Sequence, residues 1–175
     1  MVKKVQKGRG FIEKLQSFLQ PPDEQNFDNK KGITMCPECH AYYYEKAWHN
    51  SLDKFVGDKD EDSFSENEVH FELCPACQMK KSKTYEGEVV IELRDQSHRE
   101  EVMNAVHNSD EQAREKNPMD RVLWVTDRGD GIHIFTSNNE LAVKIGKKLD
   151  SAQKGGQLDI KYRDKEGTSR VVWKE

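Results

Sequence analysis

All four cysteines of this chain fall into two pairs, each with two residues between its members. This spacing lets both thiolates of a tight turn face one ion. Four thiolates complete the tetrahedral shell, with bonds of about 2.3 Å, that Zn²⁺ prefers. The sequence therefore predicts one structural zinc ion, and iron held by the same four sulfurs stays open as the alternative. The predicted ligands are Cys36, Cys39, Cys74 and Cys77.

Disulfide bonds would be the other structural use of these cysteines, but they persist only in an oxidising compartment. The basic start of the chain, Met1–Gly10, is not followed by the apolar stretch of a signal peptide. No run approaches the roughly 18 apolar residues of a membrane span. These observations predict a cytoplasmic protein that makes no membrane contact and keeps its cysteines free for metal.

Two enzymatic uses of the cysteines fit the sequence less well. A zinc deaminase needs a proline where Leu73 stands, and Cys39 would occupy the coordination position that must hold water. A thioredoxin-like redox pair needs a strand before it and a helix after it, whereas Tyr42–Tyr44 follow the first pair as a strand-like run. No nucleophile has a visible base and no glycine-rich loop could cradle phosphate. We therefore predict no enzymatic activity and no small-molecule substrate.

Composition favours two small units over one large core, because 34% of the 175 residues are hydrophobic and 34% are charged. Residues 1–31 are predicted to form a basic, flexible tail in which Phe11–Leu19 could make a short amphipathic helix. Residues 32–83 are predicted to form a four-cysteine zinc ribbon with an acidic loop. Residues 84–175 are predicted to form an α+β domain.

Hydrophobic periodicity predicts the elements of both units. In the small unit it predicts one strand over Ala41–Trp48 and a second over Val69–Leu73. In the α+β domain, helices are expected to begin at two capping boxes, Ser97 with Glu100 and Ser137 with Glu140. The predicted strands are Tyr85–Leu93, Arg121–Thr126, Ile132–Thr136, Gln157–Arg163 and Thr168–Lys174. This order indicates a split βαβ, ferredoxin-like antiparallel sheet with helices on one side.

Two lysine clusters could contact RNA phosphates although the net charge is −4. One follows the second cysteine pair, and the other lies on one flank of the second predicted helix. Tyr42–Tyr44 and Trp48 would either stack with bases or form the core of the small unit. The predicted RNA contacts are Lys80, Lys81, Lys83, Lys144, Lys147 and Lys148.

Six motifs follow one another in a fixed order along the chain: Cys36–Cys39, Leu73–Cys77, Tyr85–Gly87, Asn117–Arg121, Asn139–Ala142 and Lys144–Gly146. Together they resemble the Nmd-three family, an adaptor of large ribosomal subunit assembly and export. The resemblance is closest to short bacterial stand-alone relatives of unknown function. It covers roughly residues 33–175. The full-length family carries further cysteine pairs and β domains, whereas this chain has one four-cysteine site.

The resemblance implies a non-enzymatic, zinc-dependent protein that contacts ribosomal RNA or the ribosome. This is the predicted function. The alternative is a protein–protein interaction adaptor that has a structural zinc and binds no RNA. The net charge of −4, the acidic loop and the Phe11–Leu19 segment motivate that alternative.

Overall fold

The computed structural model describes residues 32–53, 69–153, 155–163 and 167–175. The predicted tail at 1–31 and most of the predicted acidic loop lie outside the described residues. Over the described residues the chain is an α+β protein with two mixed sheets and three α-helices. None of these helices is long and apolar enough to cross a bilayer.

The first sheet has four short strands in the order β3-β2-β1-β4. They are β1 (Ile33–Met35), β2 (Tyr42–Tyr44), β3 (Ala47–His49) and β4 (Val69–Phe71), and helix α1 (Pro75–Ser82) follows. The single strand predicted over Ala41–Trp48 is therefore wrong. Glu45 and Lys46 have φ angles of 49° and 65°, as in a two-residue hairpin turn. Because neither is the glycine or asparagine typical of such turns, the sequence did not reveal the break.

The second sheet has five strands in the order β6-β7-β5-β9-β8. The chain runs through β5 (Gly87–Glu92), α2 (Arg99–Lys116), β6 (Val122–Arg128), β7 (Gly131–Thr136), α3 (Asn139–Ala152), β8 (Gln157–Arg163) and β9 (Thr168–Lys174), with a short 3₁₀ turn (Gln96–His98) before α2. The predicted succession of strands and helices is confirmed. The bounds predicted for the last two strands match those observed.

The prediction of an antiparallel sheet is wrong. The sheet is mixed, because β9 pairs in parallel with β5. The side chains of the last hairpin explain this order. In β9, Val171 and Trp173 are fully buried, whereas β8 exposes Asp159 and Lys161. The more apolar strand therefore occupies the interior position, and the strand with alternating charges forms the edge.

The core lies between one face of this sheet and the helices α2 and α3. Its buried members include Val89, Ile91, Val102, Val106, Ile134, Ile145, Leu149, Val171 and Trp173. Helix α3 packs closely on β9 because Gly146 has no side chain. A Cβ atom added there would lie 2.4 Å from a methyl carbon of Val171.

Neither predicted capping box forms. Helix α2 begins after His98, which makes no side-chain cap bond. Helix α3 is capped by Asn138, whose Oδ1 accepts the backbone N–H of Leu141 at 2.7 Å. The hydroxyl of Ser137 instead accepts the backbone N–H of Arg121 at 2.9 Å and thereby ties the start of β6 to the end of β7. The capping-box pattern predicted that Ser137 caps α3, but Ser137 hydrogen-bonds to Arg121 instead and Asn138 caps the helix.

Candidate metal centre

Parallel pairing of β1 with β4 brings the two cysteine pairs to one end of the small sheet. Met35 lies opposite Phe71 at the ends of these strands. Just beyond them, the backbone N–H of Glu72 donates to the carbonyl of Met35 at 3.2 Å. Cys36 and Cys74, which follow these strand ends, therefore lie close together although they are far apart in sequence.

The first cysteine pair lies in a tight turn. The N–H of Cys36 donates to the carbonyl of Ala41 at 2.8 Å, and the N–H of His40 donates to the carbonyl of Cys36 at 2.9 Å. His40 has a φ angle of 59°, in the left-handed region. This turn brings Cys36 and Cys39 to the same site, as the spacing requires.

The second pair does not repeat that turn, because it opens helix α1. Cys74 is the N-cap residue and Pro75 occupies the first turn, where a proline loses no helical hydrogen bond. The sulfur of Cys74 accepts the backbone N–H of Cys77 at 3.4 Å. Cys74 therefore has two roles, because it contributes to the cluster and also caps the helix that presents Cys77.

The four cysteine sulfurs lie within 4.8 Å of one another, and they form the cluster that could hold a metal ion among the described residues. The Sγ atoms of Cys39 and Cys74 are 3.6 Å apart. Bonds of about 2.3 Å to a tetrahedral Zn²⁺ require sulfurs about 3.8 Å apart. Cys36 and Cys74 are fully buried. The donor set and its spacing therefore fit a structural zinc ion.

A buried arginine from the second unit lies against this cluster. Arg121 is 8% exposed, and its Nη2 and Nη1 atoms donate to the sulfurs of Cys39 at 3.5 Å and Cys77 at 3.8 Å. Its Nε donates to the carbonyl of Pro118 at 2.8 Å, which fixes the orientation of the guanidinium. Such hydrogen bonds to metal-binding side chains orient them and tune the site.

The cysteines differ in how readily they ionise. Burial opposes ionisation of Cys39, but hydrogen bonds from the Ala41 backbone and from Arg121, together with the arginine's charge, lower the pKa of Cys39 to about 7. Burial and the neighbouring thiolates raise the pKa of Cys77 to about 11, and they also raise the pKa of Cys74. A bound dication would relieve this mutual repulsion.

The cysteine cluster also packs against the five-stranded sheet. A register shift in β6 lies between Val122 and Trp124, and the intervening Leu123 is buried against Cys36, Cys74 and Cys77. A β-bulge re-aims a side chain in this way. The cysteine cluster and the second unit thus share one apolar core.

A cleft of about 640 Å³ opens beside the cluster. Its cationic lining residues come from α1, α2 and the start of β6, and Glu38 is the acidic residue of the lining. The cations are Lys80, Lys81, Arg114 and Arg121. The cleft therefore combines a buried arginine, engaged by the cluster, with three exposed positive side chains.

The structure separates the predicted RNA-contact lysines into two regions. Lys80 and Lys81 are exposed in the cleft, whereas the ammonium of Lys83 lies 4.8 Å from the ring centroid of Trp124. The other three predicted lysines lie on α3, which packs on β5 and β9, while α1 packs on β6. They are Lys144, Lys147 and Lys148.

The aromatic residues of the small unit contribute largely to its core. Tyr44 is 5% exposed and stacks on His49 at a centroid distance of 3.9 Å. Trp48 packs against the cysteine cluster. For these two residues, the core interpretation of the sequence agrees with the structure better than base stacking does.

From the sequence alone, no contact with the metal or with RNA was predicted for Arg114, Arg121 or Tyr162. Arg121 belongs to a motif used for the family resemblance, but one arginine before a strand carries no signal of contact with distant sulfurs. No protein-family model matches the chain, and no curated protein sequence matches it.

Proposed function

We propose that the protein is a non-enzymatic RNA-binding protein, stabilised by one structural zinc ion, that contacts ribosomal RNA or the ribosome. The cationic cleft beside the cysteine cluster is the observation that carries this proposal. The resemblance to the Nmd-three family supports ribosomal RNA as the class of RNA. Four sulfurs fill a tetrahedral coordination shell and leave no position for a substrate, which supports a structural role for the metal.

Charge supports an anionic ligand in the cleft. A zinc ion with four thiolates carries net negative charge, and Arg121 lies directly against it. Lys80 and Lys81 are exposed and form no ion pair with any described residue. Arg114 is loosely paired, with 3.7 Å to Asp110. These three cations remain available for backbone phosphates, which dominate protein–RNA affinity.

The architectural assignment belongs to this proposal. We take the small unit as a variant of a zinc ribbon, in which a helix replaces the second turn. We take the larger unit as a variant of the split βαβ arrangement. The position of β7 between β5 and β6 supports the second assignment, and the interior position of β9 is the departure from it.

Zinc is tested by native mass spectrometry of the purified chain and of Cys74→Ser. Serine is a good N-cap residue, so this variant retains the cap of α1 and removes one metal ligand. We expect one zinc ion per parent chain, lost or greatly reduced in the variant, with a lower melting temperature. A parent chain without metal, or a variant with an unchanged melting temperature, would contradict the structural role.

RNA binding is tested by fluorescence anisotropy with ribosomal RNA fragments over a range of salt concentrations. The double variant Lys80→Gln/Lys81→Gln is compared with Lys161→Gln/Lys174→Gln. The control lysines are exposed but already paired, at 2.7 Å to Asp159 and 2.8 Å to Glu92. Both variants lose the same net charge.

We expect the cleft variant to bind more weakly and to lose about one unit of salt slope per lysine, while the control stays near the parent. Absence of RNA binding by the parent at low salt would refute the proposed function. Equal losses in the two variants would exclude the cleft as the contact.

A protein adaptor is the second candidate, and one observation favours it. Edge strand β4 exposes two apolar side chains, with Val69 38% and Phe71 66% exposed. A nuclease-resistant partner that is lost with Phe71→Ser and retained by Lys80→Gln/Lys81→Gln would favour the adaptor over the RNA-binding protein.

A further inference from the structure

A second candidate contact lies at the opposite edge of the large sheet from the metal cluster. Tyr162 of edge strand β8 is 64% exposed. Its neighbours on the same strand face, Leu158 and Ile160, pack against the core beneath α3. Tyr162 extends past that core toward the start of the helix, where the side chain of Asn139 donates to the carbonyl of Gly167 at 2.7 Å.

Tyr162 and one flank of α3 enclose a groove of about 350 Å³, which we call the Tyr162 groove. It is lined by Asn139, Glu140, Val143, Lys144, Lys147 and Tyr162. Its volume is at the lower end of the range for small-ligand sites. The groove is therefore large enough for one planar ring and too small for a folded element.

The two lysines of the groove have no acidic partner among the described residues. Lys144 and Lys147 are exposed and make no ion pair with the described part of the chain. They are three residues apart on a helix, which places them on adjacent turns of one flank. Among the described residues of the lining, Glu140 is the acidic one. The groove thus combines an apolar floor with a positive rim.

Tyr162 is also an open aromatic ring, whereas aromatic rings of the hairpins β6–β7 and β2–β3 contact one another. Trp124 stacks on Phe135 at a centroid distance of 4.8 Å, and Tyr43 contacts Trp48 at 5.4 Å. Tyr162 makes no ring contact and no hydrogen bond with the described residues. An open ring beside cations is the combination that binds single-stranded nucleic acid, because bases stack on the ring while phosphates meet the cations.

We propose that the Tyr162 groove binds one nucleotide of a single-stranded RNA, with its base stacked on Tyr162 and the flanking phosphates at Lys144 and Lys147. This inference rests on the proposed RNA-binding function and adds a second contact, remote from the metal cluster. A peptide is the less favoured occupant, because lysine is depleted from protein–protein interfaces. The groove uses two of the lysines singled out by sequence and one tyrosine that was not.

The test uses the full chain and a fluorescein-labelled single-stranded decanucleotide, with binding followed by anisotropy. Tyr162→Leu retains an apolar side chain but cannot stack, and Tyr162→Phe retains the ring as the matched control. Stacking of one base is worth about 1–3 kcal/mol, so we expect Tyr162→Leu to weaken binding by about 5- to 150-fold. We expect Tyr162→Phe to remain within about twofold of the parent, and Lys144→Gln/Lys147→Gln to reduce the salt slope.

Three results separate the outcomes. Oligonucleotide bound by the parent and equally well by Tyr162→Leu overturns the groove but leaves RNA binding through the metal-side cleft intact. No binding by the parent to this oligonucleotide or to ribosomal RNA removes the proposed function and the groove together. The third result is a nuclease-resistant protein partner that is lost with Tyr162→Leu while oligonucleotide binding is unchanged. It overturns the proposal that the groove binds a nucleotide and indicates a peptide as its occupant.

Discussion

Replacing Arg121 with methionine should weaken zinc binding without unfolding the chain. The guanidinium makes two N–H···S contacts with the cysteine cluster, at 3.5 Å to Cys39 and 3.8 Å to Cys77. Methionine fills a similar apolar volume but supplies neither the donors nor the charge. The cluster would then keep its net negative charge in a buried site without the compensation that the guanidinium supplies.

The size of the effect follows from these two contacts. A hydrogen bond to a charged group contributes about 1.5–3 kcal/mol. The contact with Cys77 is long, so the pair of contacts should count as little more than one such bond. Residues that hydrogen-bond metal ligands typically change metal affinity by about 10- to 100-fold. We therefore expect the zinc Kd of Arg121→Met to rise by about that range.

The assay is competition for zinc with a chromophoric chelator of known affinity, beside circular dichroism spectra of each variant. Arg121→Lys retains the charge but lacks the planar fork, and it should lose less affinity than Arg121→Met. Arg114→Met is the matched control, because Arg114 lines the same cleft without a described contact to a sulfur. A folded Arg121→Met protein that holds zinc within about twofold of the parent would refute this reasoning.

Two further predictions concern stability. Gly146→Ala should lower the free energy of unfolding by about 1–3 kcal/mol, because its Cβ would lie 2.4 Å from a carbon of Val171; chemical denaturation should show little change for Gly129→Ala, whose Cβ meets nothing within 4 Å. The hydrogen bond to Glu175 raises the pKa of His98 above its ordinary value of 6.5, and the same bond lowers the pKa of Glu175 below its ordinary value of 4.5. Between these two shifted pKa values both side chains are charged, and the pair stabilises the fold. That stability is lost as the pH rises through the pKa of His98 or falls through that of Glu175. The melting temperature of Glu175→Gln should therefore lie below that of the parent near about pH 6, with a difference that shrinks by about pH 9.

Sequence patterns predicted those features of the structure that depend on residues close together in the chain. The spacing within each cysteine pair singled out four residues whose sulfurs lie within 4.8 Å of one another. Alternation of apolar and charged residues predicted both strands of the last hairpin, β8 and β9, with their observed bounds. In both cases the signal lies within a few residues, because turn geometry and strand pleat are properties of short segments.

Features set by contacts between distant segments were not predictable in this way. The interior position of β9 depends on which strand buries the more apolar surface against β5, a comparison that no single strand pattern contains. The role of Arg121 depends on the approach of Cys39, which is 82 residues away in the chain. The αL turn at Glu45 and Lys46 is imposed by the hairpin it closes, against the usual preferences of both residues.

The bulge at Leu123 also bears on aggregation. Strand β6 is one edge of the five-stranded sheet, and helix α1 packs against it. The other edge, β8, carries Asp159 and Lys161, and alternating charges of this kind discourage pairing with another chain. The cysteine cluster buries Leu123 of the edge strand β6. Loss of the metal would therefore expose Leu123 on an edge strand, and we expect the metal-free protein to associate more readily through β6 than through the charged strand β8.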